Sequence, residues 1–369
     1  QNIWAGRPGV AYQARQLGLV FNAALGVIMS LFLSLGAGTI LSGVGVADAL
    51  MQPAKTYLQI VGGFCILNAL IPICSSYLRA FGFSKEPLYA SIIGNVINFC
   101  LNAFFLFVLH KGVAGVATAT VISRIINLVI VVLLGAVLVK AKQHPERESN
   151  REVMGRIIRI GLPSACETAI YNVSMTLVIR FLNQMDAQGL NVTARSYTMQ
   201  ITNFSYCVGA ALAQANAIMT GWHIGAKEYD ACDRGTKKAV VIGVIVAVIL
   251  ETVFTLCSGW IMQLFSKDPQ MVSLVGKLLA IDIVLEIGRV TNLVYGQALK
   301  TSVDAVFPVV MGACFMILCS VGGTYLFGIR LGLLAVGAYI GMTGDECVRA
   351  VGMYLRWKSG KWKEKGLVK

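Results

Sequence analysis

Six acidic residues in the second half of the chain lie inside strongly apolar stretches. They are Glu167, Glu251, Asp282, Glu286, Asp345 and Glu346. A charge at the centre of a bilayer costs from about 3 to more than 10 kcal/mol, so each carboxylate should face a partner or a cavity. A carboxyl buried without a permanent counter-ion tends to hold a proton and to release it when water or a cationic compound arrives. The chemistry that these residues suggest is therefore cation exchange.

Several polar side chains share one stripe of a predicted helix. Asp282, Glu286 and Arg289 stand at i, i+4 and i+7, and Asn292 follows about one turn later. Because they lie on the same helical face, we expect them to contribute to one site. Asn292 is predicted to line a substrate cavity.

A similar motif lies in the last apolar stretch, where Asp345 and Arg349 are four residues apart and Glu346 is adjacent. One interpretation is two local ion pairs, Glu286–Arg289 and Asp345–Arg349, that hold helices in register. The other is cation exchange, because six carboxylates face only two centrally placed arginines in this half. We therefore predict that Arg289 and Arg349 pair with acids, and that cation coupling involves Glu167, Asp282, Glu286, Asp345 and Glu346.

Glu167 is the first candidate for the coupling residue. It lies one turn after Pro163, in a helix that opens with Gly161 to Ser164, and it has no cation nearby in sequence. A hydrogen-bonded structural glutamate is the alternative. Tyr171 lies one turn further along the same face, and we predict that Tyr171 and Asn172 line the cavity. Glu251 lies mid-span and could equally face a neighbouring helix.

The first four apolar stretches contain no acidic residue, so the polar interior of this half must come from other side chains. Candidates are Asn68, Asn95, Asn98, Asn102, Arg124 and Asn127. Asn95 and Asn98 share a helical face with Asn102. Hydrogen bonding between helices is one interpretation of Asn95 and Asn98. A place in the substrate cavity is the other.

Ten stretches are long and apolar enough to cross a bilayer as helices, which takes about 20 residues each. Apolar residues make up 56% of the 369, charged residues 13%, and the mean hydropathy is +0.71. The composition predicts an all-α polytopic membrane protein without a sizeable soluble domain. The predicted spans are 16–42, 55–78, 87–109, 113–139, 157–184, 193–222, 237–265, 270–299, 305–328 and 331–355.

The net charge of +13 is explained by the orientation of these spans. If the loop from Lys140 to Arg159 is cytoplasmic, 21 of the 31 basic residues fall on that side, six on the other and four within spans. This positive-inside bias places both ends in the cytoplasm and excludes nucleic-acid binding. The ten cysteines and three histidines are scattered, which predicts no metal site.

The polar segment 140–156 is predicted to be a cytoplasmic linker. It separates an N-terminal bundle of four spans (1–139) from a C-terminal bundle of six (157–355), and a basic tail (356–369) follows. Leu78-Arg79 with Pro87 matches Leu299-Lys300 with Pro308 at an offset of 221, and such repeats are common in transporters. Four spans lie between Gly161 and Leu299, but only two precede Leu78. Two pseudo-symmetric bundles would therefore need two further helices, ten being present of an expected twelve.

The ordered motifs resemble the multidrug and toxin extrusion (MATE) family over essentially the whole chain. They are Arg79, Gly82, Pro87-Leu88-Tyr89-Ala90, Gly94-Asn95, Asn98, Gly112 to Thr120, Gly161-Leu162-Pro163 and Gly225-Ala226-Lys227. The resemblance implies two six-helix bundles, a central cavity and export in exchange for Na⁺ or H⁺. It also implies an acidic coupling residue on a first helix that precedes this chain, and a carboxylate where this chain has Tyr171.

We therefore expect an exporter of amphipathic, cationic organic compounds, monomeric in a bacterial plasma membrane, with no cofactor beyond the coupling ion. The chain has no phosphate-binding loop for ATP. The alternative is a lipid-linked saccharide flippase, which would require unpaired arginines in the cavity, such as Arg124, Arg289 and Arg349. An enzyme is not expected, because no catalytic constellation is visible. A chain without the two further helices is not expected to transport.

Overall fold

The computed structural model describes residues 1–44, 48–139, 146–186 and 189–364, and within these ranges it contains helices and no β-strand. The expected all-α fold is therefore confirmed. Residues 140–145 of the predicted linker and 365–369 of the predicted tail lie outside the described ranges. The chain separates into two compact units. One is Gly6–Ile157 with Asn2, and the other is Ile158–Lys369 with Gln1 and Ile3–Ala5.

Within the described residues, the N-terminal unit contains six α-helices and the first residues of a seventh. The helices are α1 (Pro8–Leu35), α2 (Ala37–Val44), α3 (Asp48–Gly63), α4 (Ile66–Ala80), α5 (Lys85–Ala103, extended by π-helical turns over Phe104–Val108) and α6 (Gly112–Leu138). The core of this unit lies where α1, α4 and α6 pack together, around Leu78 and Val131.

The C-terminal unit is built from longer helices. They are α7 (Asn150–Met185), α8 (Leu190–Gly225), α9 (Tyr229–Leu256), α10 (Ser258–Met262), α11 (Pro269–Thr301), α12 (Val306–Phe315, continued by π-helical turns over Met316–Val321 and Thr324–Arg330) and α13 (Leu334–Lys358). A short 3₁₀ turn follows at Lys361–Glu364.

Five described helices are long and apolar enough to cross a membrane, or six if α3 and α4 form one bent span. The remaining long helices, α7, α8, α11 and α13, have 25 to 36 residues, which is ample for about 30 Å of hydrocarbon. Three of them, α8, α11 and α13, carry most of the buried charged residues, and this polarity lowers their mean hydropathy. The chain is thus a multi-pass helical membrane protein, and the count of ten spans stays a prediction.

Two predicted spans are interrupted by glycines. The span predicted at 16–42 ends as α1 at Leu35 and resumes after Gly36 as α2. The span predicted at 55–78 breaks after the pair Gly62-Gly63, where α3 and α4 meet at a bend of 40°. Glycine destabilises a helix interior and is a common site of kinks, and apolar periodicity does not detect such breaks.

Helix α11 lies at the centre of the C-terminal unit, where it packs against α8, α9 and α13. Three glycines permit this close packing. Val290 of α11 fills the space that a side chain would need at Gly209 of α8 and Gly243 of α9, and Gly288 of α11 lies against the backbone of α13 at Glu346 and Cys347. Small residues at helix contacts in membranes allow such close approach. They bring the polar residues of four helices together.

Replacing Gly337 with Ala is expected to destabilise the protein by at least about 1–3 kcal/mol, the usual cost of overpacking. A Cβ at Gly337 of α13 would lie 2.5 Å from the backbone nitrogen of Gly328, which cannot move aside easily. Gly344→Ala in the same helix is the matched control, because nothing lies within 4 Å of its Cβ position. Thermal unfolding in detergent should show a lower Tm for Gly337→Ala alone. Equal Tm values would contradict this packing.

Asp186, outside the spans, caps the start of α8. Its Oδ1 accepts a hydrogen bond from the Leu190 N–H at 2.8 Å and its Oδ2 from the Asn191 N–H at 3.0 Å, and Asn191 Oδ1 accepts from the Ala335 N–H at 3.0 Å. Burial alone would raise the pKa of Asp186, but the hydrogen bonds outweigh it and hold the pKa below its ordinary value. The Asp186 carboxylate therefore stabilises the fold in its ionised form.

Asp186→Ala is expected to cost about 1 kcal/mol at neutral pH, as lost caps usually do. A lowered carboxyl pKa gives stability that is complete above the unfolded-state pKa and disappears as the pH falls through the folded-state pKa. The difference in Tm between wild type and variant should therefore narrow on acidification. If the difference in Tm stays constant down to pH values below the ordinary carboxyl pKa, the Asp186 carboxylate does not stabilise the fold through its ionised form.

Candidate functional site

The charged residues of α11 and α13 form one ion-pair network. Arg349 donates from Nε to Asp345 Oδ1 at 2.8 Å and from Nη2 to Asp345 Oδ2 at 2.9 Å, and it also pairs with Glu346 Oε1 at 2.8 Å. Arg289 pairs with Glu286, and its Nε lies 3.9 Å from Glu346 Oε1. Both predicted local pairs are therefore present, and Glu346 joins them across the two helices.

Two polar side chains complete this network. Asn292 donates from Nδ2 to Glu346 Oε2 at 3.0 Å, and the Ser320 hydroxyl donates to Asp345 Oδ2 at 3.0 Å. Asp345 and Arg349 are 2% and 4% exposed. A buried ion pair of this kind is stable only when its hydrogen bonds are nearly complete, and the Asp345–Arg349 pair meets that condition.

Glu167 has a cation partner that the sequence did not indicate. The Lys300 ammonium of α11 lies 2.6 Å from Glu167 Oε2, although the two residues are far apart in the chain. No cation lies near Glu167 in the sequence, so this partner is supplied by tertiary packing. Both side chains are close to one-fifth exposed, so water can reach the pair.

Glu251 of α9 joins Asp282 and Glu286 in a second cluster. One carboxylate oxygen from each of the three lies within 4.8 Å of the others, and all three residues are at most 2% exposed. Within the described residues neither Glu251 nor Asp282 forms an ion pair. Asp282 Oδ2 and Glu286 Oε2 are buried without a hydrogen-bond partner, and the Glu251 carboxylate lies beside the Ser205 hydroxyl of α8. The three carboxylates repel one another, and within the described residues Arg289 is the cation that pairs with one of them, Glu286.

Two adjoining cavities in the C-terminal unit bring most of the predicted residues together. One, of about 230 Å³, is bordered by Asp282, Asp345, Arg195 and Met199, and the other, of about 370 Å³, by Glu167, Lys300, Asn172, Asn292 and Arg349. Tyr171, Tyr206, Arg289 and Glu346 line both. Aromatic and methionine side chains alternate with charged ones, as suits an amphipathic ligand.

Sequence reasoning missed Arg195. It is one of the six basic residues that the charge count assigns to the non-cytoplasmic side, and the structure shows that it lies in α8, is 7% exposed and borders the smaller cavity. Its Nη2 contacts Met175 Sδ at 3.6 Å, and no acid within the described ranges pairs with it. The only available signal was its position just inside a predicted span.

Asn95 and Asn98 lie on α5 of the N-terminal unit. Asn95 is exposed, and half-buried Asn98 accepts a hydrogen bond from Asn102 Nδ2 at 3.1 Å. Asn127 of α6 packs against Gly94. These contacts show interactions along α5 and with α6, and the proposed substrate-facing role of Asn95 and Asn98 stays a prediction.

A helical membrane protein with cavities lined by charged side chains inside a bundle has the architecture of a transporter. A family model, MatE, matches residues 1–104 and 163–326. The chain therefore belongs to the MatE family, as its motifs suggested, and it is a transporter rather than an enzyme.

Known proteins support this assignment. The chain is 33% identical to the uncharacterized transporter YisQ of Bacillus subtilis over 352 residues, which cover 94% of this chain and 77% of that protein. It is 22% identical to the probable multidrug resistance protein NorM of Thermotoga maritima, with coverage of 92% and 76%. A solved mutant of the Vibrio cholerae MATE transporter VcmN superposes with a TM-score of 0.88 at 16% identity, covering 98% of this chain and 83% of the other.

Proposed function

We propose that this protein exports amphipathic, cationic organic compounds in exchange for H⁺ or Na⁺. The observation that carries the proposal is the pair of cavities in the C-terminal unit, where carboxylates stand beside tyrosine and methionine side chains. The name of the Thermotoga relative includes multidrug resistance, which supports the same class of substrate.

Charge exchange is the physical basis of the proposed coupling. Glu167, Asp282, Asp345 and Glu346 border the cavities, and the carboxylates of Glu251 and Glu286 lie behind them. Four cations, Arg195, Arg289, Lys300 and Arg349, lie among these six acids, so two negative charges are left to bind protons, metal cations or cationic substrate. Competition between ion and substrate for these charges would give exchange.

The proposal includes a bacterial plasma membrane, cytoplasmic ends, a monomer in the bilayer and no cofactor beyond the coupling ion. The flippase alternative is not favoured, because it would require a cluster of free arginines to bind pyrophosphate, and of the three arginines that line the cavities only Arg195 lacks an acidic partner within the described ranges. Arg289 and Arg349 instead pair with Glu286, Asp345 and Glu346.

The test is export by the full-length protein in proteoliposomes loaded with a fluorescent lipophilic cation. An imposed Na⁺ or H⁺ gradient should accelerate dye release, and liposomes without the gradient or with a neutral dye analogue are the controls. If neither gradient changes the rate of dye release and the protein translocates a lipid-linked saccharide, the proposal is wrong and the protein is a flippase.

A further inference from the structure

Arg195 of α8 is a buried cation without an acidic partner in the described ranges. The side chain is 7% exposed, and its Nε is buried without a hydrogen-bond partner. Its Nη2 contacts Met175 Sδ at 3.6 Å, and a thioether sulfur is only a weak acceptor. Because an unpaired charge in a protein interior is costly, an arginine in this position is expected to bind an anionic group from outside the chain.

The other two arginines that line the cavities differ from Arg195 in this respect. Arg289 and Arg349 both pair with acids of α11 and α13. Helix α8 supplies no local acid to Arg195, since no Asp or Glu occurs from Leu190 to Gly225. In the part of the chain that the structure describes, Arg195 is therefore the cavity arginine whose charge is available to a ligand.

The cavity that Arg195 borders has walls of different chemistry. Helix α8 contributes Arg195, Thr202 and Asn203, which lie seven and eight positions apart and so share a helical face. Each of these side chains can donate a hydrogen bond to an anion. Helices α11 and α13 contribute the carboxylates of Asp282 and Asp345. A cavity with donors on one wall and carboxylates on the others fits a molecule that has both an anionic and a cationic group.

Asp282 is the complementary unpaired group of this cavity. It forms no ion pair within the described residues, and its Oδ2 is buried without a hydrogen-bond partner. Arg195 and Asp282 border the same cavity but do not pair with each other. A compound with a carboxylate and an amine would satisfy both charges. A compound with an amine alone would leave the Arg195 guanidinium unpaired.

We propose that Arg195 binds a carboxylate of the transported compound, so that zwitterionic amphipathic compounds are substrates of this protein. A planar guanidinium suits this role because it can donate two parallel hydrogen bonds to one carboxylate. Met175 and Met199 line the same cavity and can contact the apolar part of the compound. This inference rests on the proposed function, because it takes the cavity to be the substrate site and narrows the class of substrate.

The binding of two dyes that differ in one group tests this role. Tetramethylrhodamine is a zwitterion with a free carboxylate, and its methyl ester is a cation of nearly the same shape. Fluorescence anisotropy with the purified full-length protein in detergent should give a Kd for the free acid no higher than the Kd for the ester. Arg195→Met should raise the Kd of the free acid about tenfold to a hundredfold, as expected when hydrogen bonds to a charged group are lost. The Kd of the ester should stay the same or fall, because a cation that repels it is removed.

Two further variants are needed to interpret this comparison. Arg330→Met, at an exposed arginine that lines neither cavity, should bind both dyes as the wild type does. Arg195→Lys keeps the charge but not the planar guanidinium, so its Kd for the free acid should lie between those of the wild type and Arg195→Met. The Tm of Arg195→Met should not fall, because an unpaired buried charge is removed. If this variant does not fold, Arg195→Gln replaces it in the same comparison.

The outcomes separate carboxylate binding from other roles of Arg195. An equal loss of affinity for both dyes would show a structural role and overturn the proposal. An unchanged Kd of the free acid in Arg195→Met, or a wild type that binds only the ester, would also overturn it. Gradient-driven export of the ester would keep the proposed function in each of these cases. Selective loss of the free acid without gradient-driven export of either dye would instead keep the role of Arg195 and reject the proposed function.

Discussion

Replacing Glu167 with Gln is expected to abolish ion-driven dye export by the full-length protein and to leave its amount in the membrane unchanged. The carboxylate borders the larger cavity and neutralises Lys300 at 2.6 Å. Without it the ammonium would repel a cationic substrate, and one exchangeable anionic group would be lost. We expect export to fall at least about tenfold, the effect of about 1.4 kcal/mol of lost interaction.

The matched control for this variant is Glu152→Gln, the same substitution at an exposed position of the same helix, α7. The double variant Glu167→Gln/Lys300→Gln separates two roles of the carboxylate. If Glu167 only neutralises Lys300, the double variant recovers export. If Glu167 exchanges the ion, the double variant stays inactive. Normal export by Glu167→Gln alone would remove this residue from the coupling site.

Of the single substitutions named in the C-terminal unit, Arg349→Met is expected to destabilise the protein most. The arginine is 4% exposed and pairs with both Asp345 and Glu346. Removing one member of a buried ion pair leaves uncompensated charge and typically costs about 3–5 kcal/mol. Less folded protein and a lower Tm should follow, measured by fluorescence-detected size exclusion and thermal unfolding.

A second substitution shows whether uncompensated buried charge is the cause of the stability lost in Arg349→Met. Arg349→Met combined with Asp345→Asn should regain much of the lost stability, because one buried carboxylate is then neutral. Arg330→Met, at an exposed arginine, is the control and should unfold at nearly the wild-type temperature. If the double variant is no more stable than Arg349→Met, packing of the side chain rather than its charge is the cause.

Local spacing predicted the parts of the site that lie within one helix. Glu286 and Arg289, or Asp345 and Arg349, are brought together by helical periodicity alone, and both pairs are present. The all-α fold followed from composition and from the length of the apolar stretches. The ordered motifs sufficed to indicate the family. Gly112 begins α6 as expected, but Gly161 and Pro163, which were predicted to open a helix, lie inside α7.

Contacts between side chains of different helices could not be predicted from spacing within one helix. Lys300 reaches Glu167 from a different helix, α11, and Glu251 of α9 reaches Asp282 of α11 where Val290 packs at Gly243. Arg195 was not recognised as a cavity residue for a related reason: a side chain near a predicted span end can turn inward or outward, and the packing decides. The interruption of α1 at Gly36 depends on local backbone geometry that an average over apolar residues conceals.

Substrate-driven counterflow of the ion measures exchange directly. Full-length protein in proteoliposomes with equal Na⁺ and H⁺ on both sides receives a cationic substrate on one side only, while ²²Na⁺ and a pH-sensitive dye report ion movement. Exchange predicts that the substrate gradient drives one of these ions the opposite way, and that Glu167→Gln stops it. Substrate that crosses the membrane while neither ion moves would contradict coupling through these carboxylates.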